Sequence, residues 1–183
     1  MVVDRHGRAY VGNFGFDLDG GATPTNTCLV AVEPDGTPRV VAEDLGFPNG
    51  MVITPDGGTL IVAESFGQRL TAFEIAPDGG LRSRHLFAQL HGTVPDGICL
   101  DAEGCVWVAC PIGNRCIRVR EGGEVVDEIA LRGREAFACM LGGPDRRMLF
   151  ICTANTSDPR ESAAQRAGRI ETIRVAAPGA GLP

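Results

Sequence analysis

A repeated sequence pattern is the feature that most constrains the fold of this chain. Four segments align, and each has an apolar run, a turn and a second apolar run: MVVDRHGRAYVGN from Met1, GMVITPDGGTLIVAES from Gly50, GICLDAEGCVWVAC from Gly97 and CMLGGPDRRMLFICTA from Cys139. In this alignment the equivalent residues of the four segments are Asp4, Thr54, Asp101 and Gly143. The spacings between these residues are 50, 47 and 42 positions, which is close to the length of a propeller blade.

Each repeat predicts four short strands. In the second unit the strands are MVIT, TLIVAE, RLTAFEI and LRSRHLFA, separated by turns at PDGG, SFGQ and PDGG. The first and fourth units carry insertions, at residues 14–26 and 155–167, between their second and third strands. We therefore predict an all-β fold, a β-propeller of about four blades in a single partial domain, with blade units 1–44, 45–90, 91–132 and 133–183. A β-sandwich is the alternative, which the four-strand period disfavours.

Composition excludes several classes of function. A net charge of −6 without a run of Lys or Arg argues against a nucleic-acid partner. No apolar stretch approaches the roughly 18 residues of a membrane span, and charged residues follow Met1 where a signal peptide would be apolar. We expect a cytoplasmic protein with no membrane partner. Its seven cysteines lack CxxC spacing and lie mostly in apolar runs, which predicts reduced core residues.

Two polar residues occupy the same place in neighbouring repeats. Asn49 in FPNG and Asp96 in VPDG both precede a Gly at the start of a first strand. Because the first strands of a propeller line its central channel, both side chains are expected to converge near the channel mouth. Amide and carboxylate oxygens suit Ca²⁺ or a similar hard cation. The alternative is that both are turn residues, since Asn-Gly and Asp-Gly pairs are common in turns.

The ordered motifs resemble a known family. FPNGMVITPDGGTLIVAESFGQRLTAFEI, VPDGICLDAEGCVWVAC and FACMLGGPDRRMLFICTA are similar to segments of the SMP-30/gluconolactonase/regucalcin-like (LRE) family. The resemblance extends from Met1 to about Thr153. It implies a six-bladed propeller, of which this chain would represent about four blades, with one divalent cation at the channel mouth. The implied activity is metal-dependent hydrolysis of a lactone, commonly a sugar lactone.

The resemblance assigns roles to individual residues. Asn49 and Asp96 match two of the family's three metal ligands, and Asp96 is also the expected catalytic proton acceptor. The third ligand, a Glu, and an Arg-x-Asn-Asp substrate segment belong upstream of Met1, so we expect an N-terminally truncated chain with weakened metal binding. A substrate-contacting acid falls on Asp17. Ca²⁺ is the expected cofactor, with Zn²⁺, Mg²⁺ or Mn²⁺ as alternatives.

Two further expectations concern ligands and partners. His91 lies five residues before Asp96 and is a candidate substrate-binding group, although a solvated loop position is the alternative. The expected partner is a small-molecule lactone, with self-association through exposed blade edges as a second kind of contact. The rival function is a non-catalytic propeller that binds calcium or another ligand, because a fold alone does not fix function.

Overall fold

The computed structural model describes residues 1–181, and its strands form four antiparallel sheets that are arranged as a β-propeller. Blade 1 contains β1 (Val2–Val3), β2 (Ala9–Val11), β3 (Thr27–Val32) and β4 (Pro38–Leu45). Blade 2 contains β5 (Pro48–Ile53), β6 (Thr59–Glu64), β7 (Arg69–Ile75) and β8 (Leu81–Gln89). Blade 3 contains β9 (Ile98–Leu100), β10 (Val106–Cys110), β11 (Arg115–Val119) and β12 (Val125–Ala130). Blade 4 contains β13 (Glu135–Gly142), β14 (Met148–Ala154) and β15 (Arg169–Arg174), so the predicted fold class is confirmed.

The turn between the first two strands uses one repeated position. The carboxylate of Asp4 accepts hydrogen bonds from the amides of His6 and Arg8. In blade 3, the carboxylate of Asp101 accepts from the amides of Glu103 and Cys105 at 2.9 and 3.0 Å. Thr54 serves blade 2 in a similar way, since its hydroxyl accepts from the Thr59 amide. In blades 1 to 3, a short polar side chain at this position therefore closes the hairpin locally.

Apolar cores join consecutive blades. Tyr10 and Leu29 of blade 1 pack with Leu60 and Val62 of blade 2. A second core joins blades 2 and 3, and a third, centred on the buried Trp107, joins blades 3 and 4. Strands β6 and β10 are buried on both faces, which explains why their sequences are almost continuously apolar. Most residues of the rim strands β8, β12 and β15 are exposed.

The insertion in blade 4 contains a short helix, α1 (Pro159–Gln165), for which the repeat pattern predicts no element. Asp158 caps its N-terminus by accepting hydrogen bonds from the amides of Arg160 and Glu161, and Pro159 begins the first turn. None of the helix residues is buried. No helix within residues 1–181 has the length and apolar character that crossing a bilayer requires.

Adjacent blades meet most closely at glycines. The Gly50 amide donates to the Asp96 carbonyl at 3.1 Å, and the Gly97 amide donates to the Phe137 carbonyl at 2.9 Å. A Cβ added at Gly50 would lie 2.4 Å from the Asp96 oxygen, and one added at Gly97 would lie 2.7 Å from the Cα of Ala138. Neither contact leaves room for a side chain. The Gly of FPNG and of VPDG is therefore required by the approach of two backbones, whereas the alternative interpretation placed it in a turn.

The two end blades carry apolar faces that are partly exposed. On blade 1, cross-strand pairing places five valines on one side of the sheet: Val3, Val11, Val30, Val32 and Val40. Val3 and Val40 are about half exposed. On blade 4, the face turned away from blade 3 presents Met140, Phe150, Cys152 and Ile170. Five of the seven cysteines are buried and all seven are free, whereas Cys152 is exposed on this face.

Candidate functional site

Asn49 and Asp96 lie side by side where blades 2 and 3 meet. Asn49 is the second residue of β5, and Asp96 precedes β9 by two residues. The hydrogen bond between the Gly50 amide and the Asp96 carbonyl fixes their backbones, and the Asn49 side chain is close enough to the Asp96 carboxyl group to lower its pKa. Both residues are half-buried. The structure thus brings together the two residues that the repeat alignment selected.

Ser65 connects the two segments. It directly follows β6, and its side chain is almost completely buried. Its hydroxyl donates to the Pro95 carbonyl at 2.6 Å and accepts from Nδ2 of Asn49 at 3.2 Å. Sequence analysis missed this role because Pro95 is 30 positions away along the chain. One residue therefore contacts both the Asn49 side chain and the backbone immediately before Asp96.

Burial changes the acidity of Asp96. Loss of solvation raises the pKa of its carboxyl group from 3.8 to about 6, and the neighbouring Asn49 side chain and Gly97 amide oppose this rise only in part. The groups that act most strongly on the carboxyl group are neutral. A carboxylate in this setting lacks the charge compensation that a cation or a transferred proton would supply.

Blade 4 carries an aromatic residue at the equivalent position. The Gly97 amide binds the Phe137 carbonyl in the same way that the Gly50 amide binds the Asp96 carbonyl. Phe137 therefore occupies the place in blade 4 that Asp96 occupies in blade 3. Because a phenyl ring offers no oxygen donor, blades 2 and 3 supply the polar groups of this site.

A buried carboxylate supports the segment that leads to Asn49. Glu64 is fully buried, and its Oε2 accepts from the Gly46 amide at 2.7 Å. Arg69 forms a bidentate pair with Glu64, and Thr71 donates to the same carboxylate. Burial alone would raise the pKa of Glu64, but these hydrogen bonds outweigh burial and keep the pKa below its ordinary value. The sequence signal was an acid at the end of an apolar strand, followed five residues later by an Arg.

An aromatic cluster surrounds the same loops. The rings of Phe14 and Phe47 stack with centroids 4.6 Å apart, and those of Phe47 and Phe66 are 4.9 Å apart. Phe16 joins the cluster through contacts with both Phe47 and Phe66. Phe47 lies two residues before Asn49, and Phe66 directly follows Ser65. Sequence analysis missed the cluster, since its members come from three separate segments.

The two predicted substrate-binding residues lie on exposed loops. Asp17 belongs to the blade 1 insertion, where its carboxylate accepts from the Gly20 amide at 2.9 Å and so organises a local turn. His91 is exposed in the turn that follows β8. Their proposed contacts with a substrate stay predictions.

Asn49 and Asp96 supply oxygen donors of the kind that a metal site requires. Among residues 1–181, no group of three or more His, Cys, Asp or Glu side chains could hold an ion. Asn49 and Asp96 bring two oxygen donors of the kind that hard cations prefer, and the carboxylate is partly desolvated. Their chemistry fits part of a hard-cation site, and other groups or water would have to complete the six to eight oxygens that Ca²⁺ usually takes.

A family model and a curated relative both relate this chain to the same protein family. Residues 1–155 match the family model described as the SMP-30/Gluconolactonase/LRE-like region. The 6-deoxy-6-sulfogluconolactonase of Pseudomonas putida is 30% identical over 188 aligned residues, which cover 99% of this chain and 62% of that protein. The chain therefore spans less than two thirds of the length of this relative.

Solved structures agree with this result. A luciferin-regenerating enzyme superposes with a TM-score of 0.79 at 18% identity, covering 98% of this chain and 63% of that one, which supports the fold. A gluconolactonase from Xanthomonas campestris superposes with a TM-score of 0.67 at 30% identity, covering 81% of this chain and 51% of the other.

The raised pKa of Asp96 predicts a pH-dependent gain in stability for Asp96→Asn. Ionisation of Asp96 costs more in the folded than in the unfolded chain, so the stability due to its protonated form is complete below pH 3.8 and is lost as the pH rises through about 6. Each pKa unit corresponds to about 1.4 kcal/mol, so in metal-free buffer at pH 8 Asp96→Asn should raise the free energy of unfolding by about 2–3 kcal/mol. Urea denaturation from pH 3.5 to 8 measures this.

Asp56→Asn is the matched control for that experiment. Asp56 is an exposed turn residue whose pKa is lowered by hydrogen bonds from Thr54 and Gly58, so its substitution should give no gain at pH 8. An equal gain at pH 3.5 and pH 8 for Asp96→Asn would contradict the electrostatic explanation.

Proposed function

Because the chain belongs to the SMP-30/gluconolactonase/LRE-like family, we propose that it acts in the hydrolysis of a lactone, with a sugar lactone as the substrate class. The observation that carries this proposal is the pairing of Asn49 with the partly desolvated Asp96 where two blades meet. Two proteins at 30% identity are named as gluconolactonases, which supports the same reaction.

Asp96 is the proposed catalytic proton acceptor. A general base works best when its pKa lies near the working pH, and the pKa of about 6 brings Asp96 closer to neutrality than an ordinary Asp. The carboxylate would take a proton from a water that adds to the lactone carbonyl carbon. The ring C–O bond then breaks, and the resulting alkoxide takes a proton back from the Asp96 carboxylic acid. The product is an open-chain hydroxy acid.

A divalent cation is a proposed component of this site, with Ca²⁺ favoured over Zn²⁺, Mg²⁺ or Mn²⁺. Oδ1 of Asn49 and the Asp96 carboxylate would hold it. When bound, such an ion polarises a carbonyl group and lowers the pKa of a bound water. Asp17 and His91 are the proposed substrate-binding residues, and each comes from a loop next to the blades that carry the site.

Hydrolysis of an aldonolactone tests the proposal directly. The 183-residue chain should release acid faster than the spontaneous reaction, and both EDTA and Asp96→Ala should lower the rate at least ~100-fold, the usual contribution of a general base. Asp56→Ala removes an exposed turn carboxylate and should leave the rate unchanged. Activity that survives both EDTA and Asp96→Ala would contradict the proposed site.

The second candidate function is a propeller that binds a cation or ligand without turnover. The same Asn49–Asp96 pair supports it, because two oxygen donors can bind an ion without a reaction. Calorimetric titration distinguishes the two functions. Ca²⁺ binding that Asp96→Ala abolishes, together with an aldonolactone rate equal to the spontaneous rate, would favour the non-catalytic function over hydrolysis.

We also propose that the 183-residue chain self-associates through its end blades. Within the chain, the side of one blade packs against the opposite side of the next, so the valine face of blade 1 and the apolar face of blade 4 are the two complementary kinds of surface. A second copy of the chain would therefore pack head to tail. Covering these partly exposed apolar side chains would remove them from water, which favours association.

Light scattering at increasing protein concentration tests this association. The average mass should rise above 19.3 kDa, and Ile170→Lys, at a site that is 68% exposed on the blade 4 face, should prevent the rise. Val125→Lys introduces the same charge on the rim strand of blade 3 and should associate normally. A monomeric mass at every concentration would contradict the proposal.

A further inference from the structure

The hydrogen bonds of Ser65 have a defined direction. A hydroxyl group has one proton to donate and lone pairs that accept. The Pro95 carbonyl can only accept, so the 2.6 Å contact uses the single proton of Ser65. Toward Asn49, at 3.2 Å, the Ser65 oxygen can therefore act only as an acceptor. This forces Asn49 to present its Nδ2 group, since its Oδ1 has no proton to give.

We propose that Ser65 is a positioning residue that sets the orientation of the Asn49 amide. With Nδ2 directed to Ser65, Oδ1 occupies the opposite branch of the amide and is the group left for a ligand. The Asn49 side chain also lowers the pKa of the Asp96 carboxyl group, so the two side chains are close enough to act on one ligand.

The repeat shows why one blade contains this serine. Thr59 and Cys105 are equivalent, because each accepts through its carbonyl the hydrogen bond that closes the first hairpin of its blade. Counting forward from them places Pro111 of blade 3 in the position of Ser65, directly after the second strand. Blade 3 supplies Asp96, whose two carboxylate oxygens are chemically equivalent and need no orientation. Blade 2 supplies Asn49, whose two branches differ. The Ser65 hydroxyl therefore lies beside Asn49, the residue whose amide has two different orientations.

The burial of Ser65 makes the orientation costly to reverse. The side chain is 3% exposed, so water cannot readily replace either of its partners. Turning the Asn49 amide would place Oδ1 against the Ser65 oxygen, and two acceptors would then face each other in a desolvated site. Ser65 could relieve this only by giving up the Pro95 carbonyl, which would leave that carbonyl unpaired.

A double-mutant cycle between Asn49→Asp and Ser65→Ala tests the orientation in metal-free buffer at pH 8. A carboxylate at position 49 can only accept, so Asn49→Asp should raise the unfolding equilibrium constant about 10-fold more with Ser65 present than in the Ser65→Ala background. Repulsion from Asp96 is present in both backgrounds and cancels in the cycle. Additive effects of the two substitutions would overturn the proposal.

Side-chain amide NMR signals supply a readout that a purely structural role would not change. Ser65→Ala should shift the Nδ2 proton resonances of Asn49 and speed their exchange with water, whereas Ser65→Thr should retain the wild-type pattern. Thr71→Val is the control, because it removes a hydroxyl that is equally buried but bonds to Glu64. Unchanged Asn49 signals in Ser65→Ala would contradict the assigned orientation.

That Oδ1 of Asn49 binds a cation rests on the proposed function, and Mn²⁺ affinity tests it separately. If Oδ1 binds the ion, Ser65→Ala should weaken Mn²⁺ binding at least 5-fold, and Ser65→Thr should restore it. If the double-mutant cycle shows coupling but Ser65→Ala leaves Mn²⁺ binding unchanged, Ser65 orients the Asn49 amide and Asn49 does not bind the cation.

Discussion

The contact between two backbones at Gly50 and Asp96 is the constraint on which the candidate site depends. The 3.1 Å hydrogen bond between them requires a residue without a side chain, because any Cβ at position 50 would overlap the Asp96 carbonyl. This contact brings the residue before Gly50 beside the residue before Gly97. The site is thus produced by blade packing, with Asn49 and Ser65 contributed by blade 2 and Asp96 by blade 3.

Burial removes water from the carboxylates of Glu64 and Asp96, and the structure compensates this loss of solvation for Glu64 more fully than for Asp96. Glu64 is fully buried but receives hydrogen bonds from Arg69, Thr71 and a backbone amide, so it stays ionised. Asp96 has neutral polar neighbours but no charged partner among the groups that act on it most strongly, and its pKa rises to about 6. Glu64 therefore stabilises the segment leading to Asn49, whereas a bound cation or proton would stabilise Asp96. Residues that lower stability in this way are typical of functional sites.

The repeat was sufficient to predict the propeller fold and to select Asn49 and Asp96, because both depend on positions that recur along the chain. It could not distinguish a turn glycine from a close-contact glycine, since Gly serves both purposes. The role of Ser65 depends on a carbonyl 30 positions away, and the phenylalanine cluster joins loops from two blades. Neither has a local pattern. The helix α1 did have one, in the Asp158–Pro159 pair at its N-terminus.

Paramagnetic broadening by Mn²⁺ tests most directly whether Asn49 and Asp96 form one site. In a titration followed by backbone NMR, the amide signals of Gly50 and Gly97 should broaden together at the lowest Mn²⁺ concentration. The amides of Gly58 and Gly80, which bind the exposed carboxylates of Asp56 and Asp78, should broaden later. Broadening of these turn amides first, or of Gly50 without Gly97, would contradict the account.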